Sequence, residues 1–255
     1  MYREEARALL AGPLGEQLGR FPLRWCKPAF FGIPPEPGNQ LEVKSGTASL
    51  IARGEDHFAI TCRHVVEEYR LTRAKSDTAF FHIGNCAIDP LGQLLAEGEG
   101  ELDVAVLRLT PEQAARVVHG NFGIGEGFFP IEQRRPDLVE EGIGVAFAGF
   151  PGALRRVQAL NELNFGTYSC GATPVTASND VRFICQFERD EWVRQGIEPD
   201  PATLGGLSGG PAFSIQYGAA GIMTYAFAGI IYVFSEEFEL LYIDQAQAIY
   251  DLMGW

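Results

Sequence analysis

The sequence predicts an all-β protein made of many short strands, because three features of the chain agree. From Leu41 onward, short runs of β-branched and aromatic residues alternate with turn-forming residues. Glycine is frequent in the connections, and helical patterns occur mainly near the two ends. At 255 residues the chain is long enough for one large all-β domain or two small ones. These features indicate a sandwich or barrel architecture.

The strand-like runs share their composition and lie between turn signals. They are Thr47 to Ala52, Phe58 to Cys62, Ala79 to Ile83, Val104 to Leu109, Gly144 to Phe150, Val181 to Phe187, Pro211 to Ile215 and Gly229 to Phe234. The first two runs flank the segment from Arg53 to Asp56, which predicts a β-hairpin.

Helical patterns lie at the two ends of the chain. Arg3 to Ala11 is rich in strong helix formers and is followed by Gly12-Pro13, so it predicts a short N-terminal helix. Pro28 to Gly38 is rich in proline and glycine and predicts an extended lead-in. Phe238 to Met253 predicts a C-terminal helix with one apolar face.

The β region is expected to divide at Gly125 to Glu140, a patch rich in glycine, proline and charge. This division separates residues 41–130 from residues 131–255, and leaves residues 1–40 as the N-terminal helix and lead-in. Two β units of similar size follow from it.

Composition excludes several classes of function. The formal charge of −13 argues against nucleic acid as the main partner, because phosphate binding needs clustered Lys and Arg. No apolar run is long enough to predict a membrane span, and the N-terminal residues do not have the pattern of a signal peptide. The five cysteines are odd in number and form no CxxC pair, which favours free thiols in a reducing compartment. We therefore expect a soluble cytoplasmic protein.

The segment from Gly205 to Pro211, GGLSGGP, is the first with a chemical meaning. A serine among glycines can present an unshielded hydroxyl, while the bent backbone points N–H groups at one spot. Acyl transfer needs this arrangement, because the nucleophile and the oxyanion donors surround the same carbonyl group. Ser208 is therefore a candidate nucleophile.

The order of the other candidates along the chain separates two classes of hydrolase. GGLSGGP also fits the G-x-S-x-G pattern of α/β-hydrolases, but that fold places its catalytic histidine after the serine. No histidine follows His119, so the lipase or esterase interpretation fails. The remaining order is histidine, aspartate, serine, as in proteases of the chymotrypsin type.

His64 and Asp103 complete a candidate triad with Ser208. His64 follows a strand-like run and precedes a possible helical turn, and Asp103 leads directly into an apolar strand. In such a triad the histidine takes the proton of the serine, and the aspartate fixes the imidazole tautomer and stabilises its cation.

Three strings carry a resemblance to a known family. TCRHVV, ELDVAVLRL and GLSGGP resemble the histidine, aspartate and serine motifs of the trypsin-like serine protease superfamily. They are most similar to bacterial HtrA-type and uncharacterised trypsin-like peptidases, and Gly149 to Gly152 is similar to a segment at the start of their second barrel. The resemblance covers about residues 44–234, with no segment of PDZ size after them.

The resemblance implies two six-stranded antiparallel β-barrels of the chymotrypsin type, with the active site between them. It also implies that the backbone N–H groups of Gly206 and Ser208 form the oxyanion hole. Two positions depart from the secreted relatives: Val65 stands where they have cysteine, and Leu207 stands where they have aspartate. Activation by a newly cleaved N-terminus is therefore not expected.

The substrate pocket is expected at two places. Ala202 stands where trypsin-type enzymes carry an acid at the base of the pocket, so Arg/Lys preference is not supported. Tyr232, Val233 and Phe234 are candidates for the wall strand, which would favour a small or apolar residue before the cleaved bond.

Functions other than hydrolysis have less support in the sequence. A zinc site of Cys62, His64, His82 and Cys86 has no common ligand spacing and would use the catalytic histidine, so no metal or organic cofactor is expected. The expected partners are a protein or peptide substrate and a possible regulatory protein, with no nucleic acid and no membrane. The main alternatives are a catalytically silent binding module of protease fold, and a protease held inactive until a partner or ligand orders the oxyanion loop.

Overall fold

A computed structural model describes residues 8, 11–119, 127–132, 135–159, 162–187, 201, 203–217 and 222–255. The predicted N-terminal helix, Arg3 to Ala11, lies almost wholly outside these residues, and so does Ala202. In the part of the chain that is described, every helix is too short or too polar to cross a lipid bilayer.

Within the described ranges, four α-helices with defined bounds and one short 3₁₀ turn accompany the strands. The helices are α1 (Pro13–Leu23), α2 (Arg63–Lys75), α3 (Pro111–His119) and α4 (Ala246–Met253), and the 3₁₀ turn is Gly152–Leu154. Helix α1 starts with Pro13 in its first turn, a position where a proline has no hydrogen bond to lose.

The first sheet contains eight strands. They are β1 (Cys26–Gly32), β2 (Val43–Arg53), β3 (Asp56–Cys62), β4 (Phe80–Ile83), β5 (Cys86–Ala87), β6 (Leu94–Glu97), β7 (Val104–Leu109) and β8 (Phe129–Pro130). Their order is β5-β4-β1-β2-β3-β7-β6, and β8 pairs in parallel with β2. The edge strands β5 and β6 follow one another in the chain, although they lie at opposite ends of this order.

The second sheet is a closed six-stranded barrel. Its strands are β9 (Gly144–Gly149), β12 (Tyr168–Ser178), β13 (Arg182–Gln186), β14 (Pro211–Tyr217), β15 (Met223–Ser235) and β16 (Leu240–Gln245), in the order β12-β13-β16-β15-β14-β9. A separate hairpin pairs β10 (Arg155–Ala159) with β11 (Glu162–Phe165).

Two buried apolar clusters lie at the centres of these sheets. One collects side chains of the first sheet, such as Leu50 and Ile60, and the other collects side chains of the barrel, such as Phe147 and Phe183. Part of the barrel joins the first cluster through Phe213 and Ile230, so the two sheets share a packed boundary.

The all-β, chymotrypsin-like two-barrel architecture is confirmed, with one difference in the first half. The barrel of the second half is closed, whereas the first sheet is a curled half-barrel of more than six strands. Its edge strands are short, and β5 has only two residues, so no ladder of hydrogen bonds joins β5 to β6 among the described residues. The predicted hairpin across Arg53 to Asp56 is confirmed by the pairing of β2 with β3.

Two expected elements were wrong in part. Residues 26–32 form β1, although Pro28 to Gly32 were expected in the extended lead-in. The strand tolerates Pro28 because pairing with β4 begins only at Ala29. The predicted C-terminal helix begins at Ala246, since residues 240–245 form β16, where half-buried and buried side chains alternate over residues 240–243 as in a strand. The division of the chain into domains stays a prediction.

Candidate active site

His64 lies in the first turn of α2, directly after β3. The N-cap residue Cys62 has extended backbone and no side-chain cap, so the first N–H groups of the helix need other acceptors. Asp103 supplies two of them. Its carbonyl oxygen accepts from Arg63 N at 3.1 Å, and its Oδ1 accepts from His64 N at 3.0 Å. The aspartate therefore caps the helix that carries the histidine.

The same carboxylate also holds the imidazole ring. Asp103 Oδ2 lies 2.5 Å from His64 Nδ1, so this nitrogen is assigned as the protonated one and Nε2 is left as an acceptor. The His64 side chain is 44% exposed, and Asp103 is only 5% exposed. Burial acts to raise the pKa of Asp103, but the hydrogen bonds and charge of His64, with the charge of Arg63, outweigh it and hold the pKa below the ordinary value.

A buried ion pair from the second barrel supports Asp103 from behind. Asp103 N donates to Asp244 Oδ2 at 3.0 Å, and Asp244 has no exposed surface. Arg182 donates to Asp244 Oδ1 from Nε at 2.7 Å and reaches the Glu101 carbonyl oxygen at 2.6 Å. The guanidinium stacks 4.0 Å from the ring centre of Tyr232. Burial raises the pKa of Asp244 although the Arg182 charge acts to lower it.

Ser208 lies in the glycine-rich loop between residues 203 and 210, and the glycines are required by close backbone contacts. A Cβ atom on Gly209 would lie 2.1 Å from the Thr47 carbonyl oxygen, and one on Gly210 would lie 2.1 Å from the Ala148 carbonyl oxygen. Gly206, at φ +102°, would meet Gly152 N at 2.7 Å. The loop can therefore approach both sheets only because side chains are missing at these positions.

Two buried hydroxyl groups of β2 hold the loop from the first sheet. Thr47 Oγ1 donates to the Gly206 carbonyl oxygen at 2.8 Å and accepts from Phe150 N at 3.0 Å. Thr47 N donates to the Ser208 carbonyl oxygen at 2.8 Å, and Ser49 Oγ donates to the Gly209 carbonyl oxygen at 2.7 Å. With its carbonyl groups turned toward β2, the loop keeps its other face for N–H groups.

Two backbone N–H groups of the loop, those of Gly206 and Ser208, differ from their neighbours in their hydrogen bonding. Within the described residues neither donates a hydrogen bond, whereas those of Leu207, Gly209 and Gly210 each have a backbone acceptor. Among the described residues, the two predicted oxyanion-hole donors therefore have no acceptor.

His64 and Ser208 line one open cavity of about 290 Å³. Gly206 and Ser45 lie on its wall, and an ion pair between Lys44 and Glu68 lies at its rim. Among the hydrogen bonds of the described residues there is none between Ser208 Oγ and His64 Nε2. Such contacts are often long in unliganded sites and shorten when substrate binds.

The four pocket candidates have different outcomes. Ala202 lies outside the described residues. Tyr232 contacts Arg182 and Phe234 packs against Phe187 at a ring separation of 5.3 Å, while Val233 is 39% exposed. None of these three lines the cavity that holds His64 and Ser208, so their role in substrate binding stays a prediction.

One group of possible metal ligands lies at the same place. Cys62 Sγ and donor atoms of His64 and Asp103 lie within 4.8 Å of one another, and no other group of three was found in the described ranges. Burial first, and then the negative charges of Asp103 and Asp244, raise the pKa of the Cys62 thiol well above its ordinary value. Because zinc binds the thiolate, and the Asp103 carboxylate already holds His64 Nδ1, these residues do not fit a zinc site. The four-residue set with His82 and Cys86 is not brought together.

The sequence motifs missed Thr47, Ser49, Arg182 and Asp244. All four contact parts of the site that are distant from them in the sequence. Thr47 and Gly206, for example, are 159 residues apart. In the sequence, the one feature that could have indicated these four residues is that each is a polar residue within a largely apolar strand. The five cysteines are free and buried, as expected.

Comparisons with known proteins return structural resemblances alone. A scan against protein-family models found no match, and neither did a search of curated proteins. The thermostable serine protease AL20 from an extremophilic microorganism is 14% identical, with 91% of this chain and 96% of that chain covered and a TM-score of 0.49. A Glu endopeptidase in complex with MPD is 15% identical, with 91% and 88% covered and a TM-score of 0.46.

A third structure, the inactivated protease paralogue S-I1 of the scabies mite, is 12% identical, with 93% and 95% covered and a TM-score of 0.46. With TM-scores below 0.5, these resemblances carry no argument about the activity of this chain. Nothing in them supports the HtrA-type subclass.

Proposed function

We propose that the chain is a serine endopeptidase that works through an acyl-enzyme. Ser208 is the nucleophile, His64 is the general base and then the general acid, and Asp103 orients His64. The backbone N–H groups of Gly206 and Ser208 stabilise the oxyanion. The substrate is a protein or peptide.

The proposed reaction has two stages, formation of an acyl-enzyme and its hydrolysis. Ser208 Oγ attacks the carbonyl carbon of the peptide bond while its proton passes to His64 Nε2, and the carbonyl electron pair moves to the oxygen. The tetrahedral intermediate collapses, the C–N bond breaks, and the leaving amine takes the proton from His64. Water then attacks the acyl-enzyme in the same way, which releases the acid and restores Ser208.

The observation that carries the proposal is the contact of 2.5 Å between His64 Nδ1 and Asp103 Oδ2, in a cavity that also holds Ser208. It leaves Nε2 unprotonated, which is what a base for the serine hydroxyl needs. The backbone N–H groups of Gly206 and Ser208, which have no acceptor within the described residues, would bind the oxyanion, and one such donor is worth on the order of 10²–10³ in rate.

A fluorophosphonate probe tests the proposal, because it reacts only with an activated serine. We expect rapid labelling of the native chain and none of Ser208→Ala or His64→Ala. Ser45→Ala is the matched control, since it removes another serine of the same cavity and should still be labelled. Labelling that persists in Ser208→Ala would contradict the assignment of the nucleophile.

A conditional protease is a second candidate. Within the described residues no hydrogen bond joins Ser208 to His64, and in this version the contact forms only when a partner or ligand binds. In this version a regulatory protein or ligand completes the site, in the cytoplasmic setting that the sequence predicts.

Labelling and peptide turnover, each measured with purified protein and with added native lysate, separate the candidates. Equal rates with and without lysate would support the constitutive enzyme. Activity only with lysate would support the conditional one. If folded protein shows no labelling in either case, a silent binding module of protease fold is the better description.

A further inference from the structure

A second cavity, of about 320 Å³, lies at the other end of the strands that carry the candidate triad. Strand β3 ends beside His64 and begins beside this cavity, and β7 pairs with it throughout. From Cys62 back to Phe58 the strand spans four residues, or roughly 13 Å. This second cavity is therefore separate from the one at Ser208.

Arg53 places a positive charge at the second cavity that has no carboxylate partner within the described residues. The guanidinium group stacks over the ring of Trp255 at 5.3 Å. Its Nε is buried, and within the described residues it has neither a hydrogen-bond acceptor nor an ion pair. A buried cationic donor without an acceptor is costly, and native proteins usually provide a partner, a water molecule or a bound anion.

Arg108 adds a second guanidinium group to the same wall. It lies 5.9 Å from the ring centre of Phe58 and pairs with Asp56 at 3.3 Å. Both partners of this pair are more than half exposed, so the interaction is weak in water. Two guanidinium groups thus face one carboxylate, within a chain whose formal charge is −13.

The remaining side chains of the lining are apolar. Trp255 forms one side and Leu252 and Met253 of α4 lie beside it, while Phe58, only 2% exposed, packs against Trp255. An apolar ring can lie against these side chains while an anionic group reaches the arginines.

We propose that the second cavity binds a small aromatic anion, with a carboxylate or phosphate group held by Arg53 and Arg108. The aromatic ring of the ligand lies against Trp255, Leu252 and Met253. Guanidinium groups pair with either anion through two parallel hydrogen bonds, so carboxylate and phosphate share this chemistry. The inference is independent of the proposed protease activity.

Isothermal titration with 2-naphthoate tests the proposal, with neutral 2-naphthamide as the matched control ligand. We expect saturable binding of 2-naphthoate and at least tenfold weaker binding of 2-naphthamide. Phenyl phosphate, titrated in parallel, distinguishes a phosphate ligand from a carboxylate ligand by whichever binds more tightly. No saturable binding of either anion, or equal binding of the naphthamide, would overturn the proposal.

Substitutions locate the binding. Arg53→Met should weaken 2-naphthoate binding at least tenfold, and Arg108→Met should weaken it less, because Arg108 already has Asp56. Arg20→Met removes one exposed charge of α1 and controls for the change in net charge. If Arg53→Met fails to fold, Arg53→Lys keeps the charge but not the paired hydrogen bonds, and weaker binding is again expected. Unchanged affinity in folded Arg53 and Arg108 variants would place the ligand elsewhere and overturn the assignment.

Discussion

The two halves of the candidate site are held in place by different forces. His64 and Asp103 lie at the ends of regular elements of the open first sheet, and hydrogen bonds that cap a helix fix them to each other. Ser208 lies in a loop of the closed barrel, where the absence of side chains at Gly209 and Gly210 allows the backbone to approach both sheets. The position of His64 and Asp103 therefore depends on hydrogen bonds to a charged carboxylate. The position of Ser208 depends on the absence of side chains at the neighbouring glycines.

Each half is also held by the opposite sheet. Thr47 of the first sheet binds the loop of Ser208, and Asp244 of the barrel binds the backbone of Asp103. The site therefore requires a fixed position of one sheet relative to the other. A substitution that displaces one half should also displace the other half through these contacts.

The largest expected effect comes from removing one triad member from each half. Ser208→Ala should abolish labelling, and His64→Ala should reduce peptide turnover to the residual catalysis of roughly 10³–10⁴ over water that an oxyanion hole and binding provide. Because the residues act as a unit, the double variant should be no slower than the single ones. Turnover that falls further in the double variant would mean that the halves work separately.

Substitutions at two glycines test whether the Ser208 loop requires the absence of a side chain at position 209. Gly209→Ala should destabilise the fold by more than about 3 kcal/mol, because its Cβ would overlap the Thr47 carbonyl oxygen. Gly54 has a similar positive φ but nothing within 4 Å of an added Cβ, so Gly54→Ala should cost only about 1–2 kcal/mol. Urea unfolding measures both. Equal losses would show that backbone conformation alone explains the glycine at position 209.

The sequence predicted the parts of the site that local patterns determine. Strand β7 was predicted to the residue, because an apolar run begins directly after Asp103 and ends at Thr110. Strand β16 was mistaken for helix, because short apolar runs fit either period. That error hid Asp244, and no local pattern marks Thr47, whose partner in the loop is 159 residues away. Contacts between the sheets depend on topology, which short motifs do not encode.

The ion pair behind Asp103 should matter to activity beyond its effect on stability. Asp244→Leu alone leaves Arg182 without its carboxylate and should cost about 3–5 kcal/mol. Adding Arg182→Met replaces the pair by apolar groups and should restore most of that loss. Asp103 N still lacks its acceptor in the double variant, so fluorophosphonate labelling should stay about tenfold slower than in the native chain. Recovery of the labelling rate together with stability would show that the pair contributes only to folding.

The smallest expected effect is the pH dependence of stability that comes from Asp103. Its pKa in the folded chain lies below the ordinary carboxyl value of about 3.9, because contacts with His64 and Arg63 outweigh burial. The folded state therefore favours the charged form, and this stabilisation is complete above pH 5 and is lost as pH falls through the lowered pKa. Asp244 acts in the opposite sense, since burial raises its pKa and its charged form opposes folding. Urea unfolding between pH 3 and 7 should show Asp103→Asn approaching the native stability as the pH falls, whereas Asp244→Asn should show no such convergence. A constant gap between Asp103→Asn and the native chain would mean that the carboxylate charge does not hold the first half of the site together.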